Sequence, residues 1–363
     1  MREGDCVLSK TESLKFGYVL PHYPFELIYE NAVLAEKSGF DSLWMTDHLV
    51  GVGLKKWHAL EAWSILAGLS LNIEKMTLGA CVSDPHRRHP AVLAHATTTL
   101  DIMSKGRAVL GIGAGEAMNL NPYGIPWKRP VSRMSEAITI IKKLWIEENV
   151  NYTGEFFKLT EAMLSPKPVQ KPHPPIWVAA NSEKAMKITA ELGDGWIPTG
   201  VLMTPCIYRE NLFKIKKWTE DAGRDQLEVE PAVFLCTIAA EDKETARNLM
   251  EFPAKILLSL TPRLLKDYGI RPPSKELHIS QFVFNPKTVP KLVEEVQKIP
   301  SKPIDDIFVF GTPDDCIAGL EKYIKAGVKH FLFNFFAPPK LSNSMIQFYV
   351  NNVLSYFQSE RKE

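Results

Sequence analysis

Paired cysteines are missing from this chain: Cys6, Cys81, Cys206, Cys236 and Cys316 are odd in number, far apart and form no CxxC pair. That usage argues against a disulfide framework and against a zinc site. An excess of charge is missing too, since 43 Lys and Arg stand against 42 Asp and Glu. Neither nucleic acid nor an anionic membrane surface is therefore an expected partner. No secretory apolar segment and no apolar run of about 18 residues occurs, which predicts a soluble, cytoplasmic protein with no membrane partner. There is no low-complexity segment. What remains is an ordinary globular composition, 45% hydrophobic and 23% charged over 363 residues, enough for one large barrel or two ordinary domains.

From Leu14 onward, short β-rich runs alternate with helical patterns, the signature of βα units around a parallel sheet. Eight strands are expected: 15–20, 41–46, 76–83, the Gly-rich run after Arg107, 176–181, 195–199, 229–239 and 330–335. Residues 25–38 read as a helix stopped by Gly39. A second helix opens on Pro90 and ends before Gly106, with Val92, Ala96, Leu100 and Met103 expected along its packed face. A third spans 131–148, packing Val131, Met134, Ile138, Ile141 and Trp145 on the barrel. The Pro- and Lys-rich stretch 151–175 reads as an extended excursion. About 90 residues separate the seventh and eighth strands, so an insertion at about 240–305 must carry its own helices. Near its end, 306–310 predicts a short β segment leading into a helix capped at Thr312 or Asp314. Residues 1–13 are an N-terminal extension, and the polar tail after Tyr356 is a solvated end.

The most informative segment is Gly111-Ile-Gly-Ala-Gly-Glu116 with Ala117-Met-Asn119. It has neither GxGxxG spacing nor the Lys-Ser/Thr of a phosphate loop. It joins a buried strand to three glycines that leave room for a flat ligand, and it delivers a carboxylate where barrel enzymes keep their chemistry. A tight strand-to-loop turn fits the same residues. Asp47-His48 ends the second strand, offering an imidazole for proton exchange and a neighbouring carboxylate to hold its ring. His86 and His89 lie between Pro85 and Pro90 without a nearby acidic partner, so no metal is predicted. Arg87 and Arg88 read as a solvated edge. Ala179-Ala-Asn-Ser182 opens a helix at 183–192 and fits either a phosphate site or an ordinary N-cap. Trp127, Trp177 and Trp196 are candidates to line an apolar cleft.

Together these residues resemble the luciferase-like flavin and deazaflavin oxidoreductase superfamily, in particular its coenzyme F420 branch. The resemblance rests on Thr46-Asp-His48, on Cys81-Val-Ser-Asp-Pro-His-Arg-Arg-His-Pro-Ala91 and on Gly111 to Asn119, and it covers the chain from Leu14. Deazaflavin-dependent alcohol and sugar-phosphate dehydrogenases carry a similar Gly-Glu-Ala-(Met/Leu)-Asn string. The run through Asn121-Pro-Tyr-Gly-Ile-Pro-Trp-Lys-Arg-Pro130 is most similar to ketoreductases of long-chain diol lipids. Methylene-tetrahydromethanopterin reductases resemble the chain more distantly.

The resemblance implies a single (β/α)8 TIM barrel of the bacterial-luciferase type, an α/β fold, with the insertion between strands seven and eight. It implies a cis peptide at Cys81-Val82 beneath the deazaflavin, and cofactor contacts from Asp47, Gly113, Ala114, Gly115, Glu116, Asn119 and Ala179, Ala180 and Asn181. It also implies a homodimer acting on a small-molecule substrate. His48 would exchange the proton of an alcohol or ketone oxygen, and Glu116 would stabilise or protonate the reduced ring. Where the sugar-phosphate dehydrogenases hold phosphate with lysines and an arginine, this chain has Val201 or Leu202 and Asp306 or Ile307. It has Val52 in place of a tryptophan, and Glu116 where the methylene reductases usually carry Asp. The alternative reading is an FMN-dependent monooxygenase of the same superfamily, and a third is a barrel that binds a flavin-like ligand without catalysis.

Overall fold

The computed structural model describes residues 14–51, 58–272 and 278–359. The expected extension at 1–13 and the Val52 position lie outside the described residues. Eight parallel strands form a closed barrel: β1 (Lys15–Val19), β2 (Ser42–Met45), β3 (Thr77–Ala80), β4 (Ala108–Ile112), β7 (Ile176–Val178), β8 (Gly195–Trp196), β9 (Glu230–Ala239) and β11 (His330–Phe335). Closure comes where Gly195 and Trp196 pair with Glu230 and Pro231. Every expected strand is present. β3, β7 and β8 are shorter than expected because the chain leaves the ladder early to form mouth loops, keeping single bridges at Ser83–Ile112 and Thr199–Phe234. β5 (Val150–Thr153) and β6 (Lys158–Ala162) make an antiparallel hairpin within the predicted excursion.

Strand residues alternate between the barrel interior and the helical shell, so both faces are apolar. In β1, Phe16 and Tyr18 join the outer core while Val19 turns inward, where it packs with Trp44, Cys81, Val109, Trp177, Ile197, Ala232 and Leu332. Trp44 and Trp177 fill most of that interior, with ring centroids 5.1 Å apart. Gly79 makes room for them, since a Cβ there would stand 2.5 Å from the Trp44 ring.

The helix Phe25–Lys37 ends as expected, with Gly39 at φ +82°. The helix Pro90–Met103 is present, but it buries Leu93, Ala94, Thr97, Thr98, Leu100 and Asp101 and leaves Val92 exposed. Its polar residues turn inward because they find partners: Thr97 and Thr98 hydroxyls donate to Leu93 and Ala94 carbonyls, and Asp101 accepts from the backbone of Val169 and Gln170. Of the expected face, Leu100 is buried and Ala96 packs against the core, while Val92 faces out.

The insertion contains helices Lys243–Ser259, Pro262–Asp267, Val289–Val296 and Lys302–Ile307, so Asp306 and Ile307 are helical rather than extended. The β segment is confined to β10 (Val309–Gly311), which adds to the end of β9, and Thr312 caps the following helix through a capping box with Asp315. The insertion also reaches the mouth. Ile256, Leu260, Phe282, Phe284, Val289 and Leu292 cluster with Met118 and Val50, two residues beyond Glu116 and His48 respectively. Ala117 N donates to the Ser280 carbonyl at 2.8 Å. No described helix is long and apolar enough to cross a membrane.

Candidate active site

The loops leaving β1, β2, β3, β4 and β7 meet at one end of the barrel, bringing His22, His48, Val82, Glu116 and Ala179 together as the C-terminal mouth. His48 Nε2 lies 3.6 Å from Glu116 Oε2. Burial pushes the His48 imidazole down to about 4, helped by Arg87 and opposed by Asp47, the Val50 backbone and Asp84. Burial raises the Glu116 carboxyl to about 7, with Asp84 adding and Arg87 opposing. Its side chain is 39% accessible. Near neutral pH the pair is therefore a neutral imidazole facing a carboxylic acid poised to ionise, an acid–base couple rather than an ion pair.

The sign of the Glu116 shift makes a prediction. A folded-state value above 4.5 means that the native state binds this proton more tightly than the unfolded chain does. The resulting stabilisation is complete below the unfolded value and disappears as pH rises through about 7. Relative to Glu116→Gln, the wild type should lose unfolding free energy across that window, measured by denaturant titration. A difference between the two proteins that does not change with pH would return the carboxyl to its ordinary range.

Asp47 is brought to the site but does not face the mouth. It is 2% exposed, and its oxygens accept from Arg88 Nε at 3.0 Å, from Arg88 NH2 at 3.1 Å and from Ser83 Oγ at 2.6 Å. Burial works against its charge, but Arg88, Arg87 and Ser83 outweigh it and hold the carboxyl below the usual range. Arg87 also donates to the Asp47 carbonyl and to Asp84, and its side chain is 7% exposed. The expected solvated edge is thus a largely buried ionic cluster behind the loop that carries His48. Adjacency in sequence gave no warning of it, because Arg87 and Asp47 meet only when β2 and β3 pair.

The glycines need a second correction. A Cβ at Gly111 would fall 1.9 Å from the Ala80 carbonyl oxygen, and one at Gly113 would fall 2.6 Å from Val82 Cγ2. Both make room for β3 and the loop after it, not for a ligand. The bond Cys81-Val82 is cis, as the resemblance implied. Val82 and Ala179 stay partly exposed above the interior tryptophans, and a Gly113 Cβ would touch both. Together they form an apolar floor suited to a flat ring. Gly115, at φ +82°, turns the chain so that Glu116 faces His48.

Other expected residues divide. Asn119 is buried and its Oδ1 accepts from Leu49 N at 3.0 Å, pinning the loop that carries His48. Asn181 Oδ1 accepts from Thr199 N, and Ser182 caps the helix Glu183–Leu192. Ala114 is held by the Trp127 indole, which donates to its carbonyl at 2.9 Å. Trp177 lies inside the barrel, whereas Trp196 stacks on Tyr208 in the outer core, away from any cleft. Burial raises the Cys81 thiol, leaving it unreactive. His89 caps the helix Pro90–Met103, and no metal-ligand cluster occurs among the described residues. His22 was missed. Its signal was its place just past the first strand, the same position relative to β1 that marked His48 relative to β2.

The model of the luciferase-like monooxygenase family matches residues 14–330. The chain is 29% identical to phthiodiolone/phenolphthiodiolone dimycocerosates ketoreductase of Mycobacterium bovis, over 87% of this chain and 91% of that one. It is 32% identical to 5,10-methylenetetrahydromethanopterin reductase of Archaeoglobus fulgidus, with the same coverages. Against F420-dependent glucose-6-phosphate dehydrogenase of Microbacterium testaceum the figures are 30%, 89% and 92%. Among solved structures, an F420-dependent secondary alcohol dehydrogenase in complex with an F420-acetone adduct superposes with a TM-score of 0.80 at 22% identity, covering 94% of this chain and 99% of that one. That likeness establishes the barrel fold.

Proposed function

The chain belongs to the luciferase-like monooxygenase family, and from that premise we propose that it is an F420-dependent oxidoreductase interconverting a carbonyl or methylene-pterin-type carbon with its reduced form. The carrying observation is the placement of His48 Nε2 3.6 Å from Glu116 Oε2 at the mouth that Val82 and Ala179 also line. The names borne by the similar reductases and dehydrogenases support this over an FMN-dependent monooxygenase. A homodimer and a cytoplasmic location complete the reading.

When bound, the deazaflavin supplies a carbon centre that gives or takes hydride without readily activating oxygen. The protein's own part is to hold the ring and manage one proton. Val82, Ala114 and Ala179 offer the floor, with Gly113 beneath them making room for Val82, and Gly115 turns Glu116 toward the ring's expected place. The backbone at Ala179, Ala180 and Asn181, ahead of the helix Glu183–Leu192, suits a phosphate. His48, neutral near pH 7, would accept the alcohol proton in oxidation; in reduction it would first take up a proton, for which the Glu116 carboxyl 3.6 Å away is the source at hand, and pass it to the oxygen. Glu116, neutral below about 7, donates or takes a proton at the ring.

A sugar phosphate fits poorly. Val201 is buried in an apolar cluster, Ile307 is buried, and Asp306 is an anion paired with Lys302. The purified protein should bind oxidised F420 in a fluorescence titration and bind FMN much more weakly, with carbonyl reduction by reduced F420 independent of oxygen. Preference for FMN with oxygen-dependent turnover would overturn the proposal.

A further inference from the structure

His48 lacks the support that a catalytic imidazole ordinarily has. A carboxylate or carbonyl usually accepts from the second ring nitrogen and fixes the tautomer and orientation. Here Asp47 is taken up by Arg87, Arg88 and Ser83, and the buried His48 Nδ1 has no side-chain partner, only the Val50 backbone standing near the ring. The ring is held instead from the side. His22, on the loop after β1, packs against it with centroids 5.7 Å apart and planes inclined 44°. His22 is itself fixed, because its Nε2 lies 2.6 Å from the Thr46 hydroxyl at the end of β2.

We propose that His22, pinned by Thr46, is the positioning residue that orients the His48 imidazole toward Glu116. The proposal rests on the proton-transfer role assigned above to His48. A tilted ring packed against it restrains rotation about the imidazole's side-chain torsions, and the hydrogen bond to Thr46 keeps that ring from drifting. Misplacement of about 1 Å is enough to cost roughly 100-fold in rate. Both imidazoles are also kept neutral, His22 at about 4 through burial and the neighbouring His48. The other charged or titratable groups facing His48 are Glu116 from the loop after β4, Arg87 and Asp84 from the loop after β3, and Asp47 beside it.

The test uses His22→Ala, His22→Phe and Thr46→Val, with two readouts. In cofactor-free protein, nitrogen-detected NMR follows the His48 ring. With F420 present, kcat, KM and their pH dependence are measured alongside the F420 dissociation constant. His22→Ala should lower kcat roughly 10- to 100-fold with F420 affinity unchanged, and His48 should titrate nearer the ordinary imidazole value. Thr46→Val, a change of similar shape, should move both readouts less but in the same direction. His22→Phe should restore most of kcat, since an aromatic face is what the role requires. An unchanged His48 titration and kcat in His22→Ala would overturn the proposal. So would a His22→Phe protein as impaired as His22→Ala, which would make His22 a proton-handling group. The NMR readout needs no cofactor, so failure of F420 to bind would sink the functional reading separately.

Discussion

Replacing His48 with alanine is expected to remove hydride transfer while leaving F420 affinity nearly intact. On the proposed reading the imidazole is the proton-exchanging group, held neutral near pH 7 by burial with its Nε2 3.6 Å from Glu116. The floor that would hold the ring is built from Val82 and Ala179, packed over Gly113, and does not depend on it. Loss of a positioned general acid or base costs about 100- to 10,000-fold, and kcat should fall by that amount at saturating cofactor. A variant that loses F420 binding but turns over normally at saturation would reassign His48 to the cofactor. Stopped-flow reduction of bound F420 separates the two outcomes.

The largest effect on stability is expected from Arg87→Ala. The change would leave Asp84, 4% accessible at its side chain, without its cation, and would take from the buried Asp47 one of its two arginines, Arg88 remaining. Removing one partner of a buried ionic cluster costs about 3 to 5 kcal/mol, because a charge is left buried and unpaired. Denaturant unfolding should show that loss. Arg129→Ala is the control: its pair with Glu155 is 61% and 49% exposed, and such pairs are worth about 1 kcal/mol or less. Equal, small effects of the two substitutions would mean that the cluster behind Asp47 contributes no more than a surface pair. Arg87→Ala should also lower activity, since its guanidinium holds the carbonyl of the residue before His48.

The barrel was legible because its signals are local. Each strand shows as a short apolar run, each helix start as a Pro or a capping residue, and Gly39 marks a helix end by needing φ +82°. The placement of His48 and Glu116 was legible for the same reason, since both follow directly on buried strands. The packed face of the helix Pro90–Met103 was legible only in part, because Thr97, Thr98 and Asp101 turn inward to partners that the apolar pattern does not count. The family resemblance contributed what periodicity does not encode, including the cis bond at Cys81-Val82.

By itself the sequence determined the alternation of strands and helices, the eight-strand count and the position of His48 and Glu116 just past two buried strands, because these follow from periodicity and punctuation within a few residues. Tertiary structure alone decided what those residues touch. Closure of the barrel sets His22 beside His48, gives Asp47 to two arginines from the next loop, and makes Gly111 a space for the Ala80 carbonyl. It also brings Phe282 and Ser280 of the insertion against the residues that follow Glu116. Each of these contacts joins segments remote in the chain, and only the pairing order of the strands makes them neighbours.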